Sequence, residues 1–213
     1  RYSCVGFILL QQLVEARTGM SMDEYLAKEF YTPMGLERTG YLPLRFLKKE
    51  DIVPSSTDPF LRKTTLQGFV HDESAAFQGG VSGNAGLFST AEEVAKVYQM
   101  LLNGGELDGK RYLSKETCRV FTTTVSRISR RGLGFDKPDR HNPQKSPCAE
   151  SAPVYGHTGF TGTCAWTDPE NGLVYVFLSN RTYPDVWNNK LMRLDIRTRI
   201  QEAVYKAMLG GKK

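Results

Sequence analysis

Residues 154–180 read VYGHTGFTGTCAWTDPENGLVYVFLSN and decide the fold class. They contain three strand-like runs, and the last two are separated by Asp-Pro-Glu-Asn-Gly, which is typical of a hairpin turn. Residues 189–209 show an amphipathic helical pattern whose apolar side is expected to pack on that hairpin. The sequence therefore predicts an α+β fold in which an antiparallel sheet is flanked by helices.

Capping and stop signals predict further helices before this stretch. Gly19 is placed to end a first helix, and the Ser21–Glu24 sequence is a capping box that opens a second one. A glycine-rich turn, GGVSGNAGLFST at residues 79–90, leads into another helix. The predicted helices include 3–18, 91–103 and 114–122, whereas 39–69 and 127–153 are expected to be loop. We expect residues 1–213 to form a single domain.

The composition excludes several classes of protein. The chain has 213 residues and a formal net charge of +5, but its basic residues are scattered, which argues against nucleic-acid binding. No run approaches the ~20 apolar residues that a transmembrane helix needs. The four cysteines are far apart and form no CxxC pair, so the sequence gives no sign of a zinc ribbon and leaves disulfide formation open.

Two short stretches carry residues suited to proton transfer and to anion binding. Tyr2 and Ser3 precede the first helical turn, where unpaired backbone N–H groups would stabilise a nearby negative charge. A tyrosine there is suited to proton transfer. On the first strand of the hairpin region, His157 and Thr158 could bind an anion, and Gly159 would leave room for a substrate. Each stretch taken alone is equally compatible with a purely structural role.

The combination of motifs resembles the serine β-lactamase and penicillin-binding-protein superfamily, especially class C β-lactamase-like esterases and peptidases. The motifs are a Tyr-Ser-x start, the GGVSGNAGLFST loop with a helix behind it, GHTGFTGT leading into a strand, and NGLVYVFLSN. In that superfamily the site is built from Ser-x-x-Lys, a Tyr/Ser-x-Asn element and a Lys/His-Thr/Ser-Gly strand. The likeness runs over almost the whole chain.

Catalytic and substrate-binding roles follow from this resemblance residue by residue. Tyr2 matches the tyrosine of the second element, which moves protons, and the Phe160 N–H would be one half of the oxyanion hole. His157, Thr158 and Gly159 match the third element and would hold a substrate carboxylate or carbonyl. The implied acyl-serine mechanism uses neither a metal ion nor another cofactor.

The sequence also departs from the family pattern. Cys4 stands at the substrate-binding position that is usually Asn, and Asn84 stands in the glycine-rich loop where close relatives have His. No Ser-x-x-Lys occurs among the 213 residues. The resemblance therefore implies that the nucleophile lies before Arg1 in the same polypeptide, and that this carboxy-terminal part is inactive alone.

The resemblance also implies a class of substrate and a location. The substrate would be a small ester, amide or β-lactam, or a peptidoglycan-derived peptide, and the parent protein would work in the bacterial periplasm or cell envelope. The segments RRGLGFDKP and NNKLMRLDIRTRIQ further resemble Bacteroidetes proteins in which such a domain follows a family 3 glycoside hydrolase domain.

Three alternatives remain open at this stage. Cys4 at a helix start could be a nucleophile with His71 or His157 as its base. His71, Asp72, Glu73 and His157 could hold a metal ion, although their spacing matches no known helical metal motif. The third alternative is a non-catalytic binding or regulatory domain that keeps the cleft without its chemistry.

Overall fold

The computed structural model describes residues 2–139 and 153–210. Its contacts divide the chain into two compact units: unit 1 is Arg1–Glu93 with Thr182–Val186, and unit 2 is Val94–Arg181 with Trp187–Lys213. The expectation of a single domain stays a prediction. Within residues 2–139 and 153–210, no helix combines the length and apolar character needed to cross a bilayer.

Unit 1 is built from short helices and one small hairpin. The elements are α1 (Cys4–Thr18), α2 (Met22–Leu26) with a π-helical turn (Ala27–Tyr31), β1 (Ser56–Asp58), β2 (Thr64–Leu66), α3 (Glu73–Phe77) and the start of α4 (Ala91–Leu102). Two 3₁₀ turns, Pro43–Arg45 and Lys49–Asp51, lie between α2 and β1.

The first helix ends as predicted, but the second begins differently. Gly19 has φ +68° and its N–H donates to the Glu15 carbonyl, which is a left-handed helix stop. Ser21 makes no side-chain capping bond. Instead the Met22 N–H donates to the Glu15 Oε1 at 3.1 Å. A carboxylate from the preceding helix therefore pairs with the first backbone N–H of the second helix.

The prediction of loop over residues 39–69 is wrong for the hairpin β1–β2. Its strands pair antiparallel with Ser56 opposite Leu66. They are only three residues long, too short for a periodic pattern to indicate them. A half-buried ion pair supports the turn, since the Arg62 Nε lies 2.7 Å from the Asp58 Oδ2.

Helix α4 begins at the residue predicted, Ala91, and is capped by Thr90. The Thr90 Oγ1 accepts from the Glu93 N–H at 3.3 Å. The Ser89 hydroxyl is instead paired with the Thr39 hydroxyl at 2.6 Å. The Glu93 carboxylate accepts from the Arg38 N–H, so it ties residues 38–39 to the helix start rather than closing a capping box.

Unit 2 contains the three-stranded sheet. Its elements after α4 are β3 (Glu106–Leu107), β4 (Lys110–Arg111), α5 (Lys115–Thr122), β5 (Tyr155–Thr158), β6 (Cys164–Asp168), β7 (Leu173–Phe177), α6 (Lys190–Arg193) and α7 (Ile196–Leu209). Both pairs in the order β5–β6–β7 are antiparallel, which confirms the three predicted strands. One buried cluster under the sheet consists of Val154, Cys164, Trp166 and Tyr175.

The carboxy-terminal helix packs on the hairpin, but it is interrupted. Asp195 has φ +52°, a conformation outside the right-handed helical region, and it separates α6 from α7. From α7, the Tyr205 hydroxyl donates to the Asp168 Oδ2 at 2.7 Å. The Arg197 carbonyl accepts from the Tyr175 hydroxyl at 3.2 Å. These bonds join α7 to β6 and β7.

Candidate active site

The start of α1 carries Tyr2 and Cys4 side by side. Ser3 takes the N-cap position with extended backbone, but its side chain caps no N–H, and no acidic residue lies in the first turn. The Cys4 Sγ lies 3.9 Å from the Tyr2 Oη, and the Tyr2 and Phe7 ring centroids are 5.6 Å apart. A helix amino terminus without an anionic cap leaves its partial positive charge available to a nearby oxyanion.

The glycine-rich loop is fastened to this helix within unit 1. Gln11 is buried, its Oε1 accepts from the Gly83 N–H at 2.9 Å, and its Nε2 donates to the Val81 carbonyl at 3.4 Å. A Cβ on Gly83 would lie 2.1 Å from the Phe7 carbonyl oxygen, so the loop backbone rests directly on the helix. The glycine at this position is therefore required by packing.

Asn84 belongs to a polar cluster beside that loop. Its Oδ1 accepts from the Ser82 hydroxyl at 2.7 Å, and its Nδ2 donates to the Asp72 Oδ1 at 3.3 Å. Burial alone would raise the pKa of Asp72, but hydrogen bonds from Ser74, Ala75 and Asn84 outweigh it and hold that pKa below its ordinary value. The residue that departs from the family pattern thus holds the loop to the start of α3.

The neighbours of His71 and Asp72 also bear on the metal alternative. The Asp72 carboxylate caps α3, and the His71 Nδ1 lies 3.0 Å from the buried Ser56 hydroxyl. Within residues 2–139 and 153–210, no group of three His, Cys, Asp or Glu side chains is arranged to hold a metal ion. Cys4, Cys118 and Cys164 are free thiols; Cys148 lies outside the described residues.

In unit 2, His157 and Thr158 end the edge strand β5. Asp136 forms an isolated bridge to this strand, since its N–H donates to the Gly156 carbonyl at 2.7 Å and its carbonyl accepts from the Gly156 N–H at 3.0 Å. Residues that face the same strand edge alternate, so Thr158 is the next one with its backbone on this side. No described residue forms a β-bridge with it there.

Gly159 and Phe160 form the turn that follows β5. The Gly159 N–H donates to the Thr163 carbonyl at 2.8 Å, and a Cβ on Gly159 would lie 2.2 Å from the Thr163 Oγ1. The glycine thus makes room for a neighbouring side chain of the turn. Phe160 is 63% exposed, and the Arg181 guanidinium lies 4.8 Å from its ring centroid and donates to its carbonyl at 3.0 Å.

Arg131 contacts His157, and Asp136 in turn holds Arg131; neither belongs to the active-site sequence motifs. The Arg131 Nη1 lies 3.0 Å from the His157 Nε2, and the Arg131 Nη2 donates to the Asp136 Oδ2 at 2.9 Å. Both come from the segment RRGLGFD, which the sequence predicts as loop. The predicted loop covers residues 127–153. Residues 127–139 are neither helix nor strand, in agreement with that prediction, and residues 140–152 lie outside the described residues.

The surroundings of His157 favour its neutral form. Burial lowers the pKa of His157, and the positive charge of Arg131 lowers it further. The hydrogen bond to the Thr158 carbonyl and the charge of Asp136 oppose this shift without cancelling it. A neutral imidazole contributes hydrogen bonds rather than charge.

The predicted site residues therefore fall into two groups. Tyr2 and Cys4 lie together in unit 1, and the segment His157–Phe160 lies in unit 2. The only sequence signal for Arg131 and Asp136 is the local cluster of charged residues around Arg130. That cluster does not indicate a contact with His157.

Solved structures share the fold at low sequence identity. A β-lactamase from Mycobacterium bovis matches with a TM-score of 0.65 and 22% identity, covering 98% of this chain and 64% of that one. A mutant of simvastatin synthase from Aspergillus terreus matches with a TM-score of 0.66 and 18% identity, covering 97% of this chain and 55% of that one. These likenesses confirm the predicted α+β, β-lactamase-like fold.

A curated relative is more similar in sequence. A protein of Escherichia coli (strain K12) named "Putative D-alanyl-D-alanine carboxypeptidase" is 36% identical over 200 residues, covering 87% of this chain and 46% of the relative. The chain thus spans about half the length of the curated relatives it matches. The family model described as Beta-lactamase matches residues 1–196. The chain therefore belongs to the β-lactamase family, within the superfamily of serine β-lactamases and penicillin-binding proteins.

Proposed function

We propose that this chain supplies the second and third active-site elements of a serine acyl hydrolase that works through an acyl-serine intermediate. Its serine and lysine would come from polypeptide that precedes Arg1, because no Ser-x-x-Lys occurs in the 213 residues. In this proposal the chain alone is inactive. The name of the curated relatives supports a D-alanyl peptide as the substrate.

The observation that carries the proposal is the form of the edge strand β5. Asp136 occupies its outer edge at Gly156, and Thr158 follows on the same side at the end of the strand. A substrate whose backbone lay along this edge would add a short strand, with its carbonyl delivered to the turn at Phe160. The Phe160 N–H would then stabilise the oxyanion of the tetrahedral intermediate.

Each remaining residue has a defined role in this mechanism. Tyr2 would move the proton between nucleophile and leaving group, helped by the uncapped helix terminus beside it. Thr158 would hold the substrate carbonyl or carboxylate, with His157 and its neighbour Arg131 beside it, and Gly159 would keep the turn closed. The family resemblance and the names of the relatives support a place in the bacterial envelope.

The full-length product of the coding region tests this proposal. It should form a covalent adduct with a fluorescent penicillin, detected by gel fluorescence and intact mass, whereas the 213-residue chain should form none. Tyr2→Phe in the full-length protein should slow adduct formation by about 10²-fold or more, the size of a general acid–base contribution.

The result that would overturn the proposal points to the binding-domain alternative. Cys4, where the family usually has Asn, contacts the Tyr2 hydroxyl and is the observation that favours loss of catalysis. Reversible penicillin binding to the full-length protein without an adduct, or a coding region that lacks Ser-x-x-Lys, would leave a binding domain.

A further inference from the structure

The contacts of His157 determine its protonation. A guanidinium carries only N–H donors, so the Nε2 that lies 3.0 Å from the Arg131 Nη1 must be the acceptor and carries no proton. The other ring nitrogen, Nδ1, lies 2.8 Å from the Thr158 carbonyl oxygen, which only accepts. The imidazole is thus neutral, with its one proton on Nδ1.

Arg131 is itself held from the strand that carries His157. Its Nη2 donates to the Asp136 Oδ2, and Asp136 is joined to Gly156 by two backbone hydrogen bonds. The Asp136 Oδ1 also accepts from the Lys137 N–H at 2.8 Å. The position of the Arg131 guanidinium relative to the His157 ring is therefore fixed through Asp136 and Gly156, the residue before His157.

The arrangement exceeds what an ion pair requires. Arg130 already pairs with Asp136, its Nε lying 3.0 Å from Oδ1 and its Nη2 3.0 Å from Oδ2. Arg130 is placed further by the Asp139 carboxylate and the Lys137 carbonyl. Arg130 alone would neutralise Asp136, and it does not contact His157. The contact from Arg131 to the Nε2 therefore acts on the imidazole and is not needed to pair the Asp136 carboxylate.

We propose that Arg131, anchored by Asp136, is a positioning residue that fixes His157 as the neutral, Nδ1-protonated tautomer and itself carries the positive charge at this end of β5. That this arrangement serves substrate rests on the proposed function. With both ring nitrogens engaged, His157 neither accepts nor delivers a proton during the reaction. The lowered pKa of His157 agrees with this assignment.

Nitrogen-15 NMR of the imidazoles in the 213-residue chain tests the proposal directly. The long-range ¹H–¹⁵N pattern distinguishes the two neutral tautomers, and His157→Gln assigns the signals of this residue. We expect the wild-type chain at pH 7.5 to show a protonated Nδ1 and an unprotonated Nε2. A protonated Nε2, or an equal mixture of tautomers, would overturn the proposal.

A pair of variants separates positioning from general electrostatics. Arg131→Gln removes the contact to Nε2 and should shift the titration midpoint of His157 upward and mix its tautomers. Arg130→Gln is the matched control, since it removes a neighbouring charge and a contact to Asp136 but none to the ring. Equal shifts in both variants would show that charge alone is responsible and would contradict the assigned role.

Arg131→Lys completes the set by keeping the charge without the forked geometry. We expect its tautomer ratio to lie between those of the wild type and Arg131→Gln, and a ratio equal to the wild type would contradict the need for a guanidinium. Backbone amide spectra report whether each variant is folded. These readouts need no acyl transfer, so failure of the proposed function leaves them intact.

Discussion

Gln11 and Gly83, 72 positions apart, are joined by a partly buried hydrogen bond of 2.9 Å from the glycine N–H to the amide oxygen. Through this bond the loop GGVSGNAG is held on the helix that begins at Cys4. The position of the loop thus depends on the Gln11 side chain and on the absence of a side chain at Gly83.

Replacing Gly83 with alanine should destabilise the chain. The new Cβ would lie 2.1 Å from the Phe7 carbonyl oxygen, and neither backbone can move aside without breaking the Gln11 bond. We expect a loss of about 1–3 kcal/mol in the free energy of unfolding, measured by urea denaturation. Gly6→Ala is the control, since its Cβ meets nothing closer than 4.0 Å, and it should stabilise α1 by up to ~1 kcal/mol. Equal effects of the two substitutions would contradict this account.

Gln11→Leu should loosen the loop without introducing a clash. The Gly83 N–H and the Val81 carbonyl lose their partner, and an unpaired buried polar group costs about 1–3 kcal/mol. Hydrogen exchange should show faster exchange at the Gly83 amide. Gln12→Leu, at the exposed neighbouring position, should leave that rate unchanged.

Tyr205→Phe should weaken the attachment of α7 to the sheet. Its hydroxyl donates to the buried Asp168 carboxylate, and a hydrogen bond to a charged group is worth about 1.5–3 kcal/mol. Tyr175→Phe loses only a bond to the neutral Arg197 carbonyl, so its cost should be nearer ~1 kcal/mol. Thermal unfolding of both variants gives the comparison, and the reverse order of stabilities would count against the assignment.

His157 should make the chain less stable in mild acid. Its folded-state pKa lies below the ordinary value of 6.5, so the unfolded chain binds a proton that the folded chain does not. The free energy of unfolding should therefore be fully retained above pH 6.5 and fall as the pH drops toward the folded-state pKa. His157→Gln should flatten this part of the curve between pH 7.5 and 5. An unchanged slope would show that His157 titrates normally.

The thiols should differ in their reaction with iodoacetamide. Burial raises the pKa of Cys164 to about 11 and also raises that of Cys118, so little thiolate is present at pH 8. Both should stay unmodified in the folded chain while the exposed Cys4 reacts, as followed by peptide mass spectrometry. Fast, selective labelling of Cys4 would support the nucleophile alternative; a rate equal to that of an ordinary exposed thiol would not.

Regular patterns allowed much of the fold to be predicted. The stop at Gly19, the start of α4 and the hairpin around Asn171 each follow from local chemistry, and each appears in the structure. The break at Asp195 was missed because apolar spacing continues across it, and a φ of +52° at a single aspartate leaves no trace in that spacing. The hairpin β1–β2 was missed because three-residue strands have no readable period.

The site was predictable only where a motif is contiguous. The segment His157–Phe160 is one such motif, and the structure places it at the end of an edge strand. Arg131 is separated from His157 by 26 positions, and no periodicity links them. That contact depends on the bridge between Asp136 and Gly156, a tertiary feature without a sequence signature.

The turn after β5 imposes a rule of joint substitution. Since a Cβ at position 159 would occupy the place of the Thr163 Oγ1, a larger residue at 159 requires a smaller one at 163. A homologous chain that carries alanine at 159 should carry glycine or alanine at 163. In a library randomised at both positions, folded variants with a side chain at 159 should carry a small residue at 163.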